Sequence, residues 1–176
     1  MSKIDYDLRL IRAFVFDVDG VLSPATVVIG EDGEPQRMTN LRDGFAISKA
    51  VESGYRVAVI TGGKTENVRL RFRKLGVADR DIYIGVTEKL PLLKEWIAAA
   101  GLSPEEVAYM GDDIPDLKCM RYVGLPCAPY DAAKEALMTA TFVSRLSGGY
   151  GCGRDLIEQV MRARGDWSLD VCPPVQ

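Results

Sequence analysis

The chain has 176 residues, of which 47% are hydrophobic and 27% charged, and a net charge of −3 at pH 7. This length suits one domain with a full core, and the slight acidity gives no general attraction to nucleic acid or to an anionic membrane. No apolar stretch reaches 18 residues, and the N-terminal segment MSKIDYDLRL lacks a signal-peptide pattern. We therefore expect a cytoplasmic protein whose single domain spans residues 1–176.

Composition also narrows the possible chemistry. The chain contains no histidine, which removes the commonest general base, the Ser-His-Asp and Cys-His catalytic systems and most zinc sites. Proton transfer must then come from carboxylates, lysine, tyrosine or water. The cysteines show no CxxC spacing, and we predict that they are reduced packing residues; they are Cys119, Cys127, Cys152 and Cys172.

Strand-like and helix-like segments alternate from residue 11 onwards, which is typical of a doubly wound, Rossmann-like α/β fold with a parallel sheet and helices on both faces. The predicted strands cover residues 11–16, 56–61, 81–85, 107–110, 124–128 and 141–143. The predicted helices cover residues 43–53, 65–75, 89–100, 114–122, 131–139 and 153–164. Two further predictions are a β-hairpin flap at residues 27–38, turning at Glu31, Asp32 and Gly33, and a C-terminal tail at 147–176.

The first predicted strand ends in two aspartates. Asp17 and Asp19 stand one residue apart in FDVDGVLS, so in an extended chain their side chains share one face. Two anions held close repel each other unless a cation or a proton lies between them. Mg²⁺ suits such a place because it takes oxygen ligands and shares its coordination shell with substrate phosphate. Taken alone, the pair is equally compatible with a strand that runs into a polar turn.

Three further strand ends also carry polar groups. Thr61 and Gly62 follow the second strand, Lys89 follows the third, and Asp112 and Asp113 follow the fourth. Ligands of doubly wound sheets bind beyond the carboxyl ends of the strands, so we expect these groups to meet. Three acids can hold a metal, and a hydroxyl, backbone amides and an ammonium group can hold a phosphate.

The order DxD, threonine, lysine and acidic pair resembles the haloacid dehalogenase superfamily of phosphohydrolases. A receiver domain of a two-component system also has acids, a threonine and a lysine at strand ends, but its acidic pair comes early, unlike the late GDDIPD segment here. Many superfamily members carry a cap domain, for which residues 20–60 and 90–111 leave no room. An uncapped site takes a macromolecular substrate or a lid from a neighbouring subunit, and the acidic chain favours the lid.

The resemblance implies a role for each acidic residue. Asp17 would attack phosphorus and form an aspartyl phosphate, while Asp19 would serve as general acid and then general base. Asp17, the backbone carbonyl of Asp19, and Asp112 would bind Mg²⁺. Asp113 and Asp116 would support these ligands, directly or through water.

The resemblance also implies a phosphate site. Thr61 and the amide of Gly62 would bind phosphoryl oxygens, and Lys89 would pair with Asp17 and with the transferring group. Mg²⁺ and Lys89 would offset the repulsion between a carboxylate and a phosphate dianion. In isolation, a threonine such as Thr61 is more often a strand-end hydroxyl that caps the next helix, and a lysine such as Lys89 is usually a solvated helix residue.

A closer resemblance is to the capless sugar-acid phosphatases, whose best-known activity is hydrolysis of 3-deoxy-D-manno-octulosonate 8-phosphate in lipopolysaccharide precursor synthesis. It is carried by DxDGVL, the hairpin, NLRDGFAI, ITGGKTENVRLR, GVTEKL and GDDIPDL. It implies a homotetramer with the hairpins at its centre and a Gly-rich segment that reaches a neighbour's site. Residues 147–155, SGGYGCGRD, suit that purpose, or equally a flexible loop before the last helix.

The positions that match the family's contacts with the carboxylate and hydroxyls of a sugar acid are Asn40, Arg42, Asp43, Gly44 and Arg71. One position departs from the pattern. Gly63 stands where many octulosonate phosphatases have arginine and where nine-carbon sugar-acid phosphatases can have glutamate, so it leaves room for another residue. The absence of glutamate favours the eight-carbon substrate. The alternatives are a nine-carbon sugar-acid 9-phosphatase and a non-catalytic assembly module like those fused to nucleotide-sugar synthetases.

Overall fold

A computed structural model describes residues 6–31, 33 and 35–168, and these contain a six-stranded parallel sheet and a small antiparallel hairpin. The sheet has the order β5-β4-β1-β6-β7-β8. In chain order its strands are β1 (Ala13–Phe16), β4 (Arg56–Ile60), β5 (Ile82–Tyr83), β6 (Val107–Met110), β7 (Leu125–Ala128) and β8 (Phe142–Val143), and the hairpin strands are β2 (Val28–Ile29) and β3 (Pro35–Gln36). The predicted doubly wound fold and its flap are thus confirmed, although Asp32 of the predicted turn lies outside the described residues.

Within the described ranges, six α-helices accompany the sheet. They are α1 (Leu41–Glu52), α2 (Glu66–Lys74), α3 (Lys89–Ala99), α4 (Leu117–Met120), α5 (Lys134–Thr139) and α6 (Cys152–Arg164). The helix predicted over 114–122 is instead a 3-10 turn, Ile114–Asp116, followed by the single turn of α4. Pro115 lies within that 3-10 turn, and the side chain of Asp116 accepts a hydrogen bond from the backbone of Asp112, which ties the segment to the preceding loop.

The two faces of the sheet bury different sets of side chains because neighbouring residues of a strand point to opposite sides. Phe14 and Phe16 of β1 pack in the core that includes the apolar faces of α1, α2 and α6. Ala13 and Val15 pack in the second core, with α3, α4 and α5. Every residue of β1 is fully buried, so the strand that carries the two aspartates is fixed from both sides.

The strand order determines where the candidate site lies. β1 is central and pairs in parallel with β4 on one side and β6 on the other. The chain therefore passes from β1 to one side of the sheet and later returns to the opposite side. This reversal is the topological switch point at which doubly wound sheets bind ligands. The DxD segment, the Thr61 loop and the Asp112 loop all follow strands that meet there.

Between β1 and β4 the described residues hold only the hairpin and α1, with no cap domain. Within the same described ranges, no helix has the length and apolar character needed to cross a bilayer. Cys119, Cys127 and Cys152 are buried free thiols, as predicted, and Cys172 lies outside the described residues.

Candidate active site

The structure brings the polar strand ends together around one open cavity of about 480 Å³. β1, β4 and β6 end side by side, and α3 begins at the same edge of the sheet. The predicted residues that line this cavity are Asp17, Asp19, Thr61, Gly62, Lys89, Asp112, Asp113 and Asp116. Residues separated by almost 100 positions in the chain thus share one site.

Lys89 connects two of the acids. Its ammonium group lies 3.0 Å from Oδ1 of Asp17 and 2.8 Å from Oδ1 of Asp116, and its side chain is only 6% exposed. Burial alone would lower the pKa of Lys89, but the charges of Asp17 and Asp116 together raise it. The lysine is therefore a fixed positive charge beside Asp17, and the interpretation as a solvated helix residue is wrong.

Asp116 is held from a further direction by a residue that sequence reasoning did not find. The hydroxyl of Tyr109, a fully buried residue of β6, donates a 2.6 Å hydrogen bond to Oδ1 of Asp116. The other oxygen of Asp116 accepts the backbone N–H of Asp112 at 3.2 Å. Asp116 thus positions both Lys89 and the Asp112 loop. The only sequence signal for Tyr109 was a polar atom in an otherwise apolar strand.

Three carboxylates are placed for a divalent cation. Asp17, Asp112 and Asp116 each offer an oxygen within 4.8 Å of those of the other two. Burial and then the charge of Asp116 raise the pKa of Asp17. Burial, followed by the charges of Asp17 and Asp116, raises the pKa of Asp112 to about 7. Crowded, partly desolvated carboxylates of this kind fit Mg²⁺, a hard cation that prefers oxygen ligands.

The two aspartates of the DxD segment have different surroundings. Asp17 faces the acid cluster, whereas both carboxylate oxygens of Asp19 accept hydrogen bonds from Arg37, at 2.7 Å from Nε and 2.8 Å from Nη2. Arg37 directly follows β3 of the flap, and no motif in the sequence indicated it. The carboxylate of Asp19 is therefore turned away from the metal cluster, which is compatible with metal binding through its backbone carbonyl.

A tight turn carries the DxD segment from β1 into the flap. The carbonyl of Val18 accepts the backbone N–H groups of Val21, Leu22 and Ser23. Gly20, at φ +86°, is required here, because a Cβ would stand 1.9 Å from Oδ2 of Asp112. Because this glycine has no side chain, the loops that follow β1 and β6 can approach each other.

The Gly-rich segment packs against this turn within the same chain. The backbone N–H of Gly149 donates to the carbonyl of Val21 at 2.7 Å, and the thiol of Cys152 donates to the same carbonyl at 3.1 Å. A Cβ on Gly148 would stand 1.9 Å from the carbonyl oxygen of Gly20. Residues 147–152 therefore support the turn that bears Asp19, so the interpretation as a flexible loop is wrong for this stretch.

Thr61 and Gly62 line the same cavity as the acids. Thr61 is buried, and its hydroxyl accepts the backbone N–H of Gly63 at 3.1 Å, so the threonine shapes the loop that follows β4. Gly62 is exposed. Asp113 is also exposed, on the outer edge of the cavity.

Of the predicted sugar-binding residues, some make hydrogen bonds within the protein and others are exposed to solvent. Oδ1 of Asn40 caps α1, and its amide nitrogen donates to the carbonyl of Gly149. Asp43 is buried and accepts the backbone N–H of Arg154 at 2.6 Å, near the start of α6. Arg42 is exposed. Gly44 lies beside Arg71, whose Nη2 is 2.6 Å from the point where a Cβ on the glycine would stand.

A second cavity, of about 410 Å³, lies between the flap and α2. Arg71 lines it, as do Arg37 of the flap and Thr65 before α2. The tip of Arg37 meanwhile reaches Asp19, which lines the acid-rich cavity. Arg37 thus lies at the boundary between the two cavities.

Comparison with known proteins gave consistent results, although no family model matches the chain. The chain is 37% identical over 155 residues to the 3-deoxy-D-manno-octulosonate 8-phosphate phosphatase KdsC of Escherichia coli K12, covering 88% of this chain and 81% of that enzyme. The crystal structure of the Yersinia pestis phosphatase of this name matches with a TM-score of 0.86 and 35% identity, over 91% and 85% of the two chains. The Moraxella catarrhalis phosphatase, solved with magnesium, phosphate and KDO, matches with a TM-score of 0.86 and 28% identity over 91% of each chain.

Proposed function

The chain belongs to the KdsC family of 3-deoxy-D-manno-octulosonate 8-phosphate phosphatases, and we infer from this that it hydrolyses that ester to the free sugar acid and phosphate. It is a magnesium-dependent phosphoric monoester hydrolase that acts in lipopolysaccharide precursor synthesis. One observation carries this conclusion: in a chain 37% identical to such enzymes, three carboxylates and a buried lysine converge at the switch point of the sheet.

The first half of the reaction is assigned to the two aspartates. An oxygen of Asp17 attacks phosphorus, the ester P–O bond breaks, and a proton from Asp19 goes to the departing alkoxide, leaving an aspartyl phosphate. In the second half, water attacks the phosphorus, Asp19 takes the proton of that water, and Asp17 departs as a carboxylate. The position of Asp17 beside Lys89 and the acid cluster supports its role as nucleophile.

Charge neutralisation makes the first step possible. Asp17 and Asp112, together with the backbone carbonyl of Asp19, are the residues we assign to Mg²⁺, which when bound offsets the negative charge of the phosphoryl group. Asp116 supports them from behind, because both of its oxygens already accept hydrogen bonds. Lys89 lies 3.0 Å from Asp17 and faces charge that develops on the equatorial oxygens. Asp113, at the exposed edge, acts through water.

Thr61 and Gly62 are assigned to the phosphoryl oxygens, because they line the cavity that holds the acids. The sugar acid then extends towards the second cavity, where a guanidinium can bind its carboxylate at two points. Arg71 is well placed for this contact because it lines that cavity. Arg42 contributes from the exposed start of α1. Asn40, Asp43 and Gly44 line a small separate pocket together with Arg71. They contribute by supporting Arg71, since the first two have their hydrogen bonds within the protein.

The flap supports the proposal that the enzyme is a homotetramer of single-domain chains. Val28 and Ile29 of β2 are 68% and 59% exposed although both are apolar, and an isolated two-stranded hairpin is only marginally stable in water. Contact between hairpins would cover these residues and place neighbouring chains over the open sites. We expect light scattering to give a particle of four 19.3-kDa chains. We also propose that the enzyme is located in the cytoplasm. A monomer of full activity would contradict this assembly.

The substrate assignment is tested by phosphate release from a panel of esters with and without Mg²⁺. We expect the highest kcat/KM for 3-deoxy-D-manno-octulosonate 8-phosphate, a much lower value for hexose phosphates, and no turnover after chelation. Equal rates on octulosonate and hexose phosphates would overturn the assignment. The nine-carbon 9-phosphate belongs in the panel, although the comparisons do not favour it. Mg²⁺-dependent turnover would also exclude a purely structural assembly module.

A further inference from the structure

All three nitrogens of the Arg37 guanidinium donate hydrogen bonds to other side chains. Nε and Nη2 donate to the two oxygens of Asp19 at 2.7 and 2.8 Å, and Nη1 donates to Oγ1 of Thr65 at 3.2 Å. The side chain is only 11% exposed, whereas that of Asp19 is 37% exposed. All three nitrogens therefore link the flap to the DxD turn and to the start of α2, and the carboxylate of Asp19 is fixed in one orientation.

The position of the guanidinium depends on the glycine at residue 63. A Cβ built on Gly63 would stand 2.5 Å from Nη2 and 3.2 Å from Cζ of Arg37. The next nearest atom is Oγ1 of Thr61 at 3.5 Å, an ordinary van der Waals distance. The backbone of Gly63 is not in the left-handed region, so only Arg37 opposes a side chain at this position. The room left by this glycine is filled by the flap of its own chain.

The two-point hydrogen bond favours one chemical form of Asp19. A guanidinium has donors only, so both oxygens of the held carboxyl group act as acceptors, and a proton on either oxygen would weaken that acceptor. Asp19 is ionised when it acts as a base, after it has protonated the departing alkoxide. The geometry seen here therefore matches the second half of the reaction better than the first.

We propose that Arg37 is a positioning residue that holds the side chain of Asp19 in place for hydrolysis of the aspartyl phosphate, and that Gly63 is needed to admit it. This inference rests on the proposed function. In the step concerned, the oxygen of water bonds to phosphorus while the P–O bond to Asp17 breaks. One proton of the water passes to Asp19, and the remaining hydroxyl group becomes part of the phosphate product. Arg37 touches neither the water nor the phosphorus and acts only through Asp19.

The test compares wild-type enzyme with Arg37→Ala, Arg37→Lys, Gly63→Ala and the double variant Arg37→Ala/Gly63→Ala. Octulosonate 8-phosphate labelled with ³²P and saturating Mg²⁺ are mixed with each protein, and the reaction is stopped with acid. Two quantities are measured: kcat, and the fraction of protein that carries label at steady state. The matched control is Arg9→Ala, because Arg9 makes an exposed pair with Asp7 through Nε and Nη2, both at 2.9 Å, at the opposite end of the sheet.

For Arg37→Ala we expect kcat to fall about tenfold to 100-fold, as for other losses of alignment, while the labelled fraction rises above that of wild type. Arg37→Lys should restore kcat only in part, because an ammonium cannot make both hydrogen bonds. Gly63→Ala should reproduce the loss with Arg37 still present. In the Arg37→Ala background it should change kcat less than about twofold, since the obstructing atoms are gone. Arg9→Ala should match wild type.

Other outcomes would overturn the inference. A fall in kcat without accumulation of labelled protein would mean that Arg37 serves the first step or only the fold. Equal effects of Gly63→Ala in both backgrounds would mean that the glycine does not act through Arg37. If Arg37→Ala does not fold, the lysine variant and Gly63→Ala decide the question by the same two quantities. Failure of the wild-type enzyme to hydrolyse the ester would instead refute the proposed function.

Discussion

Burial determines what individual charged residues do in this enzyme. Lys89 is the clearest case, since it lies between Asp17 and Asp116 with almost no access to water. Removal of one partner from a buried ion pair leaves charge uncompensated, which typically destabilises a protein by several kcal/mol. The same lysine has a catalytic role in the proposed reaction. Its replacement should therefore affect both stability and turnover.

We expect Lys89→Met to lower the free energy of unfolding by about 3 kcal/mol in the absence of metal, as measured by denaturant titration at pH 8. Saturating Mg²⁺ should recover part of this loss, because the cation binds the exposed negative charge of the folded state. The control is Lys94→Met on the same helix, where the exposed lysine lies over the ring of Tyr122. Equal destabilisation by both substitutions would show that the buried acids do not depend on Lys89.

The raised pKa of Asp112, about 7, predicts how magnesium binding responds to pH. Protons compete with Mg²⁺ for a carboxylate whenever the pH lies below that value, and the raised pKa of Asp17 acts in the same direction. Calorimetric titration should therefore show an affinity lower by about tenfold or more at pH 6 than at pH 8, with protons released on binding. An affinity independent of pH in this range would contradict the placement of these carboxylates around the metal.

The residues of the site were predictable to the extent that they follow strands. Asp17, Thr61, Lys89 and Asp112 stand at consecutive strand ends, and the topology of a parallel sheet brings such ends together. Arg37 could not be found in this way, because its position depends on how the flap folds back over the sheet. The role of Gly63 could not be predicted for the same reason. Which atoms occupy the space beside a glycine is known only from the folded structure.

At the scale of elements, the turn of residues 18–24 depends on support from the Gly-rich segment before α6. Gly148 lies so close to the carbonyl of Gly20 that no side chain fits between them. The obstructing atom belongs to the backbone, so it cannot move aside as a side-chain tip can. Overpacking of this kind typically destabilises a protein by 1–3 kcal/mol.

We therefore expect Gly148→Ala to lower the free energy of unfolding by about 2 kcal/mol and to reduce kcat, because it displaces the turn that bears Asp19. Gly54→Ala is the comparison: at φ +87° it strains the backbone but meets no atom within 4 Å, far from the site. That variant should lose about 1 kcal/mol and keep its kcat. Denaturant unfolding and phosphate release measure the two effects. Normal turnover in Gly148→Ala would refute the supporting role of the segment.

The contact between α1 and α6 should make stability depend on pH through Asp43. Burial raises the pKa of this carboxyl to about 6, although the backbone N–H of Arg154 donates to it. Its contribution to stability is thus fully present below the unfolded pKa and is lost as the pH rises through about 6. The free energy of unfolding of wild type minus that of Asp43→Asn should grow by about 2 kcal/mol from pH 7 to pH 4.5. A constant difference would contradict this.

The elements themselves were largely predictable from sequence patterns. Apolar runs such as residues 107–110 form buried strands, and periodic segments such as 89–100 form helices. The main difference is the segment 114–122, where Pro115 and the hydrogen bonds of Asp116 give a 3-10 turn before α4. Asp116 makes hydrogen bonds in the active site, and the helix does not continue through it. The pattern of apolar residues gives no signal for this interruption.

At the scale of the whole molecule, the described residues place every proposed catalytic group at one end of one sheet, in a cavity open to solvent. The flap covers only the side that holds Arg37 and the second cavity. The chemistry can therefore be complete within one chain, whereas the neighbouring chains of the assembly that we propose would exclude water from the open cavity.

The central claim is that Asp17 carries the phosphoryl group during turnover. The most direct measurement is to stop the reaction with acid during hydrolysis of ³²P-labelled octulosonate 8-phosphate in Mg²⁺, and to locate the label by peptide mass spectrometry. We expect a labelled peptide that contains Asp17, formed at least as fast as product, and its complete loss in Asp17→Asn. Product formation at the normal rate with no label on Asp17, or full activity of Asp17→Asn, would contradict the account.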